Sequence, residues 1–177
     1  MTDDLEPAVP SPSESERYDL PQRVSIERLV PGGMGLARLA SGQVVLVEAA
    51  APGDRLELLE VRSQRGVLRA LRFDVVEEGP GRQRPPCPWA ARCGGCDWMH
   101  LSVPAQLEAK RDLVDDAFRR TARLHGWRPP IISPGPHLGY RQRVRLKVMS
   151  GRRFGFQAKG SHDLVEIDDC ILAHPAI

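Results

Sequence analysis

The residues best suited to chemistry in this sequence are four cysteines, Cys87, Cys93, Cys96 and Cys170. The first three follow the pattern C-x5-C-x2-C, and the fourth comes after a gap of 73 residues. Three thiolates close in sequence, joined by one that the fold must bring in, make a four-thiolate metal site. Iron–sulfur clusters use this ligand set, typically with a tight run of cysteines. Gly94 and Gly95, between the last two neighbouring cysteines, let the backbone wrap closely and aim N–H groups at sulfur. Trp89 and Trp98 flank the run and would shield it from water. Zinc is the rival occupant. Structural zinc sites with four cysteines usually come as two C-x2-C pairs, and only one such pair is present. Disulfides or free thiols are the third possibility. The N-terminus Met1-Thr2-Asp3-Asp4 has neither the basic nor the apolar region of a secretory signal, so a cytoplasmic location is expected. There, clustered cysteines hold metal more often than they pair.

The second chemical feature is a run of cations. From Tyr140 to Val148, Arg141, Arg143, Arg145 and Lys147 occupy one parity, and Gln142, Val144, Leu146 and Val148 the other. Side chains alternate across a strand, so this pattern predicts a strand with four cations on one face and a mostly apolar opposite face. A polyanion facing the ladder would relieve its repulsion and release counterions. The alternative is a face turned to water. Arg153 extends the same basic region, and these five residues are the candidate contacts to a polyanion, RNA under the resemblance described below. Single-strand binders often stack bases on aromatics, but the upstream strands offer only Phe73. His100 is surplus as a ligand, which suggests a packing role or one beside the ligands. No Ser-His-Asp set, catalytic carboxylate pair or phosphate-binding loop is present, and no catalytic residue is assigned.

Elements must position these groups. Net charge is +2, but residues 1–20 carry six acids and one base, a balance of −5 that leaves +7 on residues 21–177. An acidic, Pro/Ser-rich tail on a basic body predicts a disordered segment over 1–20 and a body that meets a polyanion. Residues 21–80 read as short strands punctuated by Gly and Pro. Val24 and Ile26 alternate with polar neighbours, Val44 to Val47 is continuous and mostly β-branched, and Leu56 and Leu58 alternate with Arg55 and Glu57. In the last strand Val67, Leu71, Phe73 and Val75 are expected to share a face. Such spacing predicts a small closed barrel.

Glu77 to Pro86 reads as a polar linker, and residues 81–177 as a small α+β domain with an antiparallel sheet. Its helix is expected over Pro104–Leu124, with Leu107, Val114, Ala117, Phe118 and Leu124 on one stripe and Gly126 as a stop. Strands carrying Phe154 and Phe156, then Leu164 to Ile167, would deliver Cys170. The longest apolar stretch, Val44 to Ala51, is interrupted by Glu48 and is too short to span a bilayer. A monomer is expected, or association through the Pro104–Leu124 helix.

Several of these segments, taken together, are familiar. Cys87-Pro88, Cys93-Gly94-Gly95-Cys96, His100-Leu101, Gln106-Leu107 and Lys110 resemble the iron–sulfur region of the RNA uracil-5-methyltransferase family, and most of all its 23S ribosomal RNA branch. Tyr140 to Leu146, Phe154-Gly155-Phe156 and Val165 to Cys170 resemble it too. So does the upstream part, with Gly33-Met34-Gly35, Val44 to Val47 and Pro52-Gly53-Asp54, which looks like an OB-like TRAM barrel. Met99 departs from the family, where many members carry Gln.

The resemblance implies a [4Fe–4S] cluster on Cys87, Cys93, Cys96 and Cys170, an RNA-binding barrel and central region, and a role in ribosomal RNA processing. It places S-adenosylmethionine and a nucleophilic cysteine in a separate C-terminal domain. There, cysteine attack at C6 of a flipped-out uridine would precede methyl transfer to C5. All four cysteines here match cluster ligands, no glycine-rich cofactor loop opens a helix, and the chain stops soon after Cys170. The chain is therefore expected to be the front portion of such an enzyme, natural truncation or fragment. It should bind RNA and be catalytically incompetent alone. The rival from another class is a non-enzymatic, zinc-stabilised RNA-binding module.

Overall fold

Short β-branched and leucine-rich runs, each ended by Gly, Pro or Asp, form six strands at the start of the described chain. The structure is a computed structural model that describes residues 17–133, 135–149, 151 and 153–177. Residues 1–16 of the expected acidic tail lie outside this range. Tyr18 and Leu20, at its end, pack against the core of the first sheet. The strands are β1 (Gln22–Ser25), β2 (Arg28–Leu29), β3 (Gly35–Arg38), β4 (Val44–Val47), β5 (Arg55–Gln64) and β6 (Val67–Glu77). Their order is β1-β5-β6-β4-β3-β2. Only β4 and β6 pair in parallel.

The two edge strands of this sheet are halves of one bent segment. Only Ile26 and Glu27 separate β1 from β2, and their N–H groups donate to the Asp54 and Leu36 carbonyls, each at 2.9 Å. The segment thus pairs with one end of the sheet and then the other, and the sheet curls on itself. Such curling protects edges that would otherwise invite pairing with another chain. Val45, Val47, Leu56 and Leu58 fill its inside with no exposed surface. Arg65-Gly66 closes the β5–β6 hairpin with φ of +53° and +79°, the positive pair of a type I′ turn, which glycine adopts freely.

The expected inner face of β6 requires correction. Val67, Leu71 and Val75 are exposed, whereas Leu68 is buried and Ala70 and Phe73 pack on the core. Register shifts flank Glu60 in the β5–β6 pairing. An irregularity of this kind moves the inward set from one parity to the other part-way along a strand.

The segment expected to be a polar linker is clamped to the sheet. Asp54 is wholly buried. Its carboxylate accepts hydrogen bonds from Ala51 N–H at 2.7 Å, Gly79 N–H at 2.8 Å, and Arg82 Nε and Nη2 at 3.0 and 2.5 Å. Arg82 Nη2 also donates to the Ala49 carbonyl at 2.9 Å. Burial pushes the Asp54 carboxyl up. The Arg82 hydrogen bonds, then Gly79 and Ala51, outweigh that and hold it below its usual 3.8.

Helix α1 spans Val103–Ala117, with Pro104 in its first turn. It lays small residues, Ala105 and Ala109, on a patch formed by Leu29, Ala51, Trp98 and Leu101. The expected helix to Leu124 is too long. The chain widens into a π-type turn over Phe118–Ala122, and Arg123, at φ +55°, ends it before Gly126. Val114, Phe118 and Leu124 of the expected stripe are exposed.

The second sheet is antiparallel, in the order β7 (Lys147–Met149), β8 (Arg153–Gln157) and β9 (Leu164–Glu166). The expected strand Tyr140–Val148 is therefore mostly absent, and only its last residues pair. Alternation describes faces but supplies no partner strand. The backbone of Arg141 pairs with the C-terminal segment instead, donating to the Leu172 carbonyl and accepting from His174 N–H, each at 2.8 Å.

The cysteine run hangs on the far end of β8. Gly94 N–H donates to the Gln157 carbonyl at 2.9 Å, and Lys159 N–H to the Arg92 carbonyl at 3.0 Å. A Cβ on Gly94 would stand 2.9 Å from the Gln157 oxygen, whereas one on Gly95 would meet only Cys93 Sγ at 3.4 Å.

Two outcomes follow from these anchors. Asp54→Asn should lower the unfolding free energy by about 3–5 kcal/mol, because it strands a buried guanidinium. Since the folded carboxyl is held low, its stabilisation is complete above the ordinary value near 3.8 and is lost as pH falls through the folded value. Urea midpoints of parent and variant should differ at neutral pH and converge in acid. Equal midpoints at neutral pH would refute the clamp. Separately, Gly94→Ala should cost about 1–3 kcal/mol by overpacking, while Gly95→Ala should be near neutral. Equal losses for the two, again by urea unfolding, would show that the fit of Gly94 against β8 is not the constraint.

Candidate functional site

Tight turns fold the cysteine run before it reaches β8. Ala90 N–H donates to the Cys87 carbonyl at 3.2 Å, and Cys93 N–H to the Trp89 carbonyl at 2.8 Å. Gly95 N–H points at Cys93 Sγ, 3.4 Å away, the kind of contact expected of the paired glycines. From the other side β9 delivers Cys170, whose N–H donates to Asp169 Oδ1 at 2.7 Å. All four cysteines line one narrow, largely apolar concavity together with Trp89, Met99, Arg141 and Phe156. Cys93 is buried and the other three are half-buried, all as free thiols. Burial pushes the Cys96 thiol up; Arg141 pulls it down, and the Cys93, Cys170 and Cys87 sulfurs push it up again. A bound cation would reverse this balance, since coordination holds thiols as thiolates.

Among the described residues, no group of three or more His, Cys, Asp or Glu side chains stands arranged to hold a metal ion.

Trp89 lines the concavity but Trp98 does not. Trp98 faces the first sheet, where its Nε1–H donates to the Gly33 carbonyl at 3.1 Å. His100 takes the packing role. It is buried, with Nε2 3.2 Å from the Ala50 carbonyl. Burial pushes its ring below the ordinary 6.5, although the Ala50 carbonyl pulls the other way. The neutral ring thus ties the residues after Cys96 to the first sheet.

The RNA-contact candidates do not form one ladder. Arg141 is half-buried and turns to the cysteines, its Nη2 donating to the Gly95 carbonyl at 3.2 Å. Lys147 is half-buried, and its Nζ donates to the His162 carbonyl. Arg153 pairs with Glu166, Nε to Oε1 at 2.6 Å. Arg143 and Arg145 are exposed, with no ion-pair partner among the described residues.

Sequence reasoning missed the Asp54–Arg82 clamp and the inward turn of Arg141. Pro52-Gly53-Asp54 carries an ordinary turn signal, and nothing in the sequence names Arg82 as the partner. Parity likewise cannot say whether Arg141 faces water or sulfur.

No protein-family model matches the chain. Curated relatives do. A 23S rRNA (uracil(1939)-C(5))-methyltransferase, RlmD, of Chromohalobacter salexigens is 38% identical over 160 residues, covering 87% of this chain and 33% of the relative. The protein of the same name from Shewanella amazonensis is 35% identical over 170 residues, covering 93% and 38%. An uncharacterized RNA methyltransferase of Bdellovibrio bacteriovorus is 35% identical, covering 88% and 39%.

Among solved structures, the Pyrococcus abyssi tRNA (uracil-54, C5)-methyltransferase in complex with S-adenosyl-L-homocysteine aligns with a TM-score of 0.61. It is 24% identical, covering 86% of this chain and 33% of that one, and shows a shared fold. No helix among the described residues is long and apolar enough to cross a membrane. The chain spans 33–39% of the length of these curated relatives, and over that region it is similar to RNA methyltransferases, two of them named for uracil C5 of 23S rRNA.

Proposed function

We propose that this chain is the RNA-binding, [4Fe–4S]-holding N-terminal portion of an S-adenosylmethionine-dependent 23S rRNA uracil-5-methyltransferase. The observation that carries the reading is the gathering of all four cysteines around one concavity, in a chain similar to RNA methyltransferases. Cys87, Cys93, Cys96 and Cys170 would hold the cluster. The donor set suits it, with four thiols, a glycine N–H aimed at one sulfur, and a loop pressed so close to β8 that Gly94 has no room for a side chain. When bound, the cluster would supply a covalent staple between the cysteine run and the segment after β9.

The curled sheet, with its bent first segment and its parallel β4–β6 closure, supports a TRAM-like, OB-like barrel over residues 21–80. The division from a central domain at 81–177 follows from the same reading. Ribosomal RNA is the proposed partner, cytoplasm the proposed location, and Arg143 and Arg145 the leading phosphate contacts. The sequence has four cysteines and all of them line the concavity. None is left to attack C6 of a uridine, so the chain binds RNA without methylating it.

Two experiments test this reading. Anaerobically purified protein should be brown and carry about four irons per chain, and Cys170→Ser should lose both iron and amide protection at Arg141. A colourless protein with one zinc overturns the cluster. For RNA, replacing Arg143 and Arg145 together by Ala should weaken binding to a 23S rRNA fragment. It should also make the log–log salt dependence shallower by about two. An unchanged slope would remove these two residues from the interface.

A further inference from the structure

Among the described residues that line the cysteine concavity, Arg141 is the only cation and Asp169 the only carboxylate. Arg141 is held there from both ends. Its backbone is pinned to Leu172 and His174 at 2.8 Å on each side, within a few residues of Cys170. Its Nη2 is fixed at 3.2 Å on the Gly95 carbonyl, the residue just before Cys96. The side chain is half-buried and forms no ion pair with Asp or Glu among the described residues. A half-buried guanidinium beside four sulfurs and without a carboxylate partner lacks its counter-charge.

We infer that Arg141 is a positioning residue whose positive charge balances the thiolate-bound core of the cysteine concavity and sets its reduction potential. The inference rests on the proposed cluster. Four thiolates make the assembly anionic, and each electron it accepts makes it more so. A fixed cation at the rim stabilises the reduced form more than the oxidised form, and cluster potentials respond to net charge and to hydrogen bonds near sulfur. Reduction here means one electron passing from an added reductant such as dithionite to the core, with no bond made or broken in the chain. This role also explains why Arg141 departs from the cationic ladder that its parity suggested. Arg143 and Arg145, exposed and without an ion-pair partner among the described residues, follow it within four positions.

The test compares anaerobically reconstituted full-length chain with Arg141→Gln and Arg141→Lys, reading iron content and the midpoint potential by spectroelectrochemical titration. With the charge removed, Arg141→Gln should titrate at a more negative potential or fail to retain iron, while Arg141→Lys stays close to the parent in both. If Gln and Lys variants keep the parent potential, or if both lose iron alike, charge is not what Arg141 supplies and the inference falls. A parent protein that takes up no iron instead sinks the proposed cluster itself, which separates the two failures.

Discussion

A carboxylate with no exposed surface, Asp54, holds three parts of the chain in one place. Its oxygens collect the N–H of Ala51 from its own turn, the N–H of Gly79 from the end of the first sheet, and the guanidinium of Arg82 from the segment beyond. A buried charge is tolerated only when its lone pairs are filled and its partner is close, and both conditions are met here. The consequence reaches past the sheet. Residues 79–82 cannot swing, so the cysteine run that begins at Cys87 starts from a fixed point. Room for this arrangement is tight, because a Cβ on Gly79 would lie 2.3 Å from the Pro52 carbonyl oxygen.

Further ties act in the same direction. Trp98 reaches back to Gly33, His100 to Ala50, and Gln83 N–H donates to the His100 carbonyl at 2.9 Å. The stretch after the last local cysteine is thus moored to the first sheet, while the bonds of Gly94 to Gln157 and of Lys159 to Arg92 moor the stretch before it to the end of β8. The cysteine run bridges the two sheets.

Much of the first sheet was legible in the sequence, and the reasons are physical. Val44 to Val47 and the Leu56/Leu58 alternation report burial directly, since a one-residue slip would expose them. Legibility failed at β6, where irregular pairing around Glu60 switched the inward parity. The four cysteines stand out by residue type even when distant in sequence, and the concavity collects all of them. The cation run was misread because alternation is a property of a strand with a partner. Among the described residues, the stretch from Arg141 to Leu146 has only the single bridge of Arg141 to Ala173. Trp98 was misplaced for a related reason: proximity in sequence to Cys96 says nothing about which way a large ring turns.

The uneven distribution of buried apolar surface gives the cysteine site its structural weight. Among the described residues, fourteen of the twenty buried hydrophobic side chains precede residue 69 and six follow it. Of those six, Leu101 and Ala109 belong to the patch under α1, and Ala90, Cys93 and Leu172 line the cysteine concavity. Only Val165 is left to the second sheet itself. Ile132 and Val148 are 77% and 73% exposed, so they add nothing to a core. A three-stranded sheet with one buried side chain of its own cannot repay the entropy of ordering its strands. Small units in this position rely on a cross-link or a metal. Phe156 of β8 and Ile167, just past β9, line the concavity of Cys87, Cys93, Cys96 and Cys170. A cluster in that space, as proposed, would hold Cys170 and Arg141 in place.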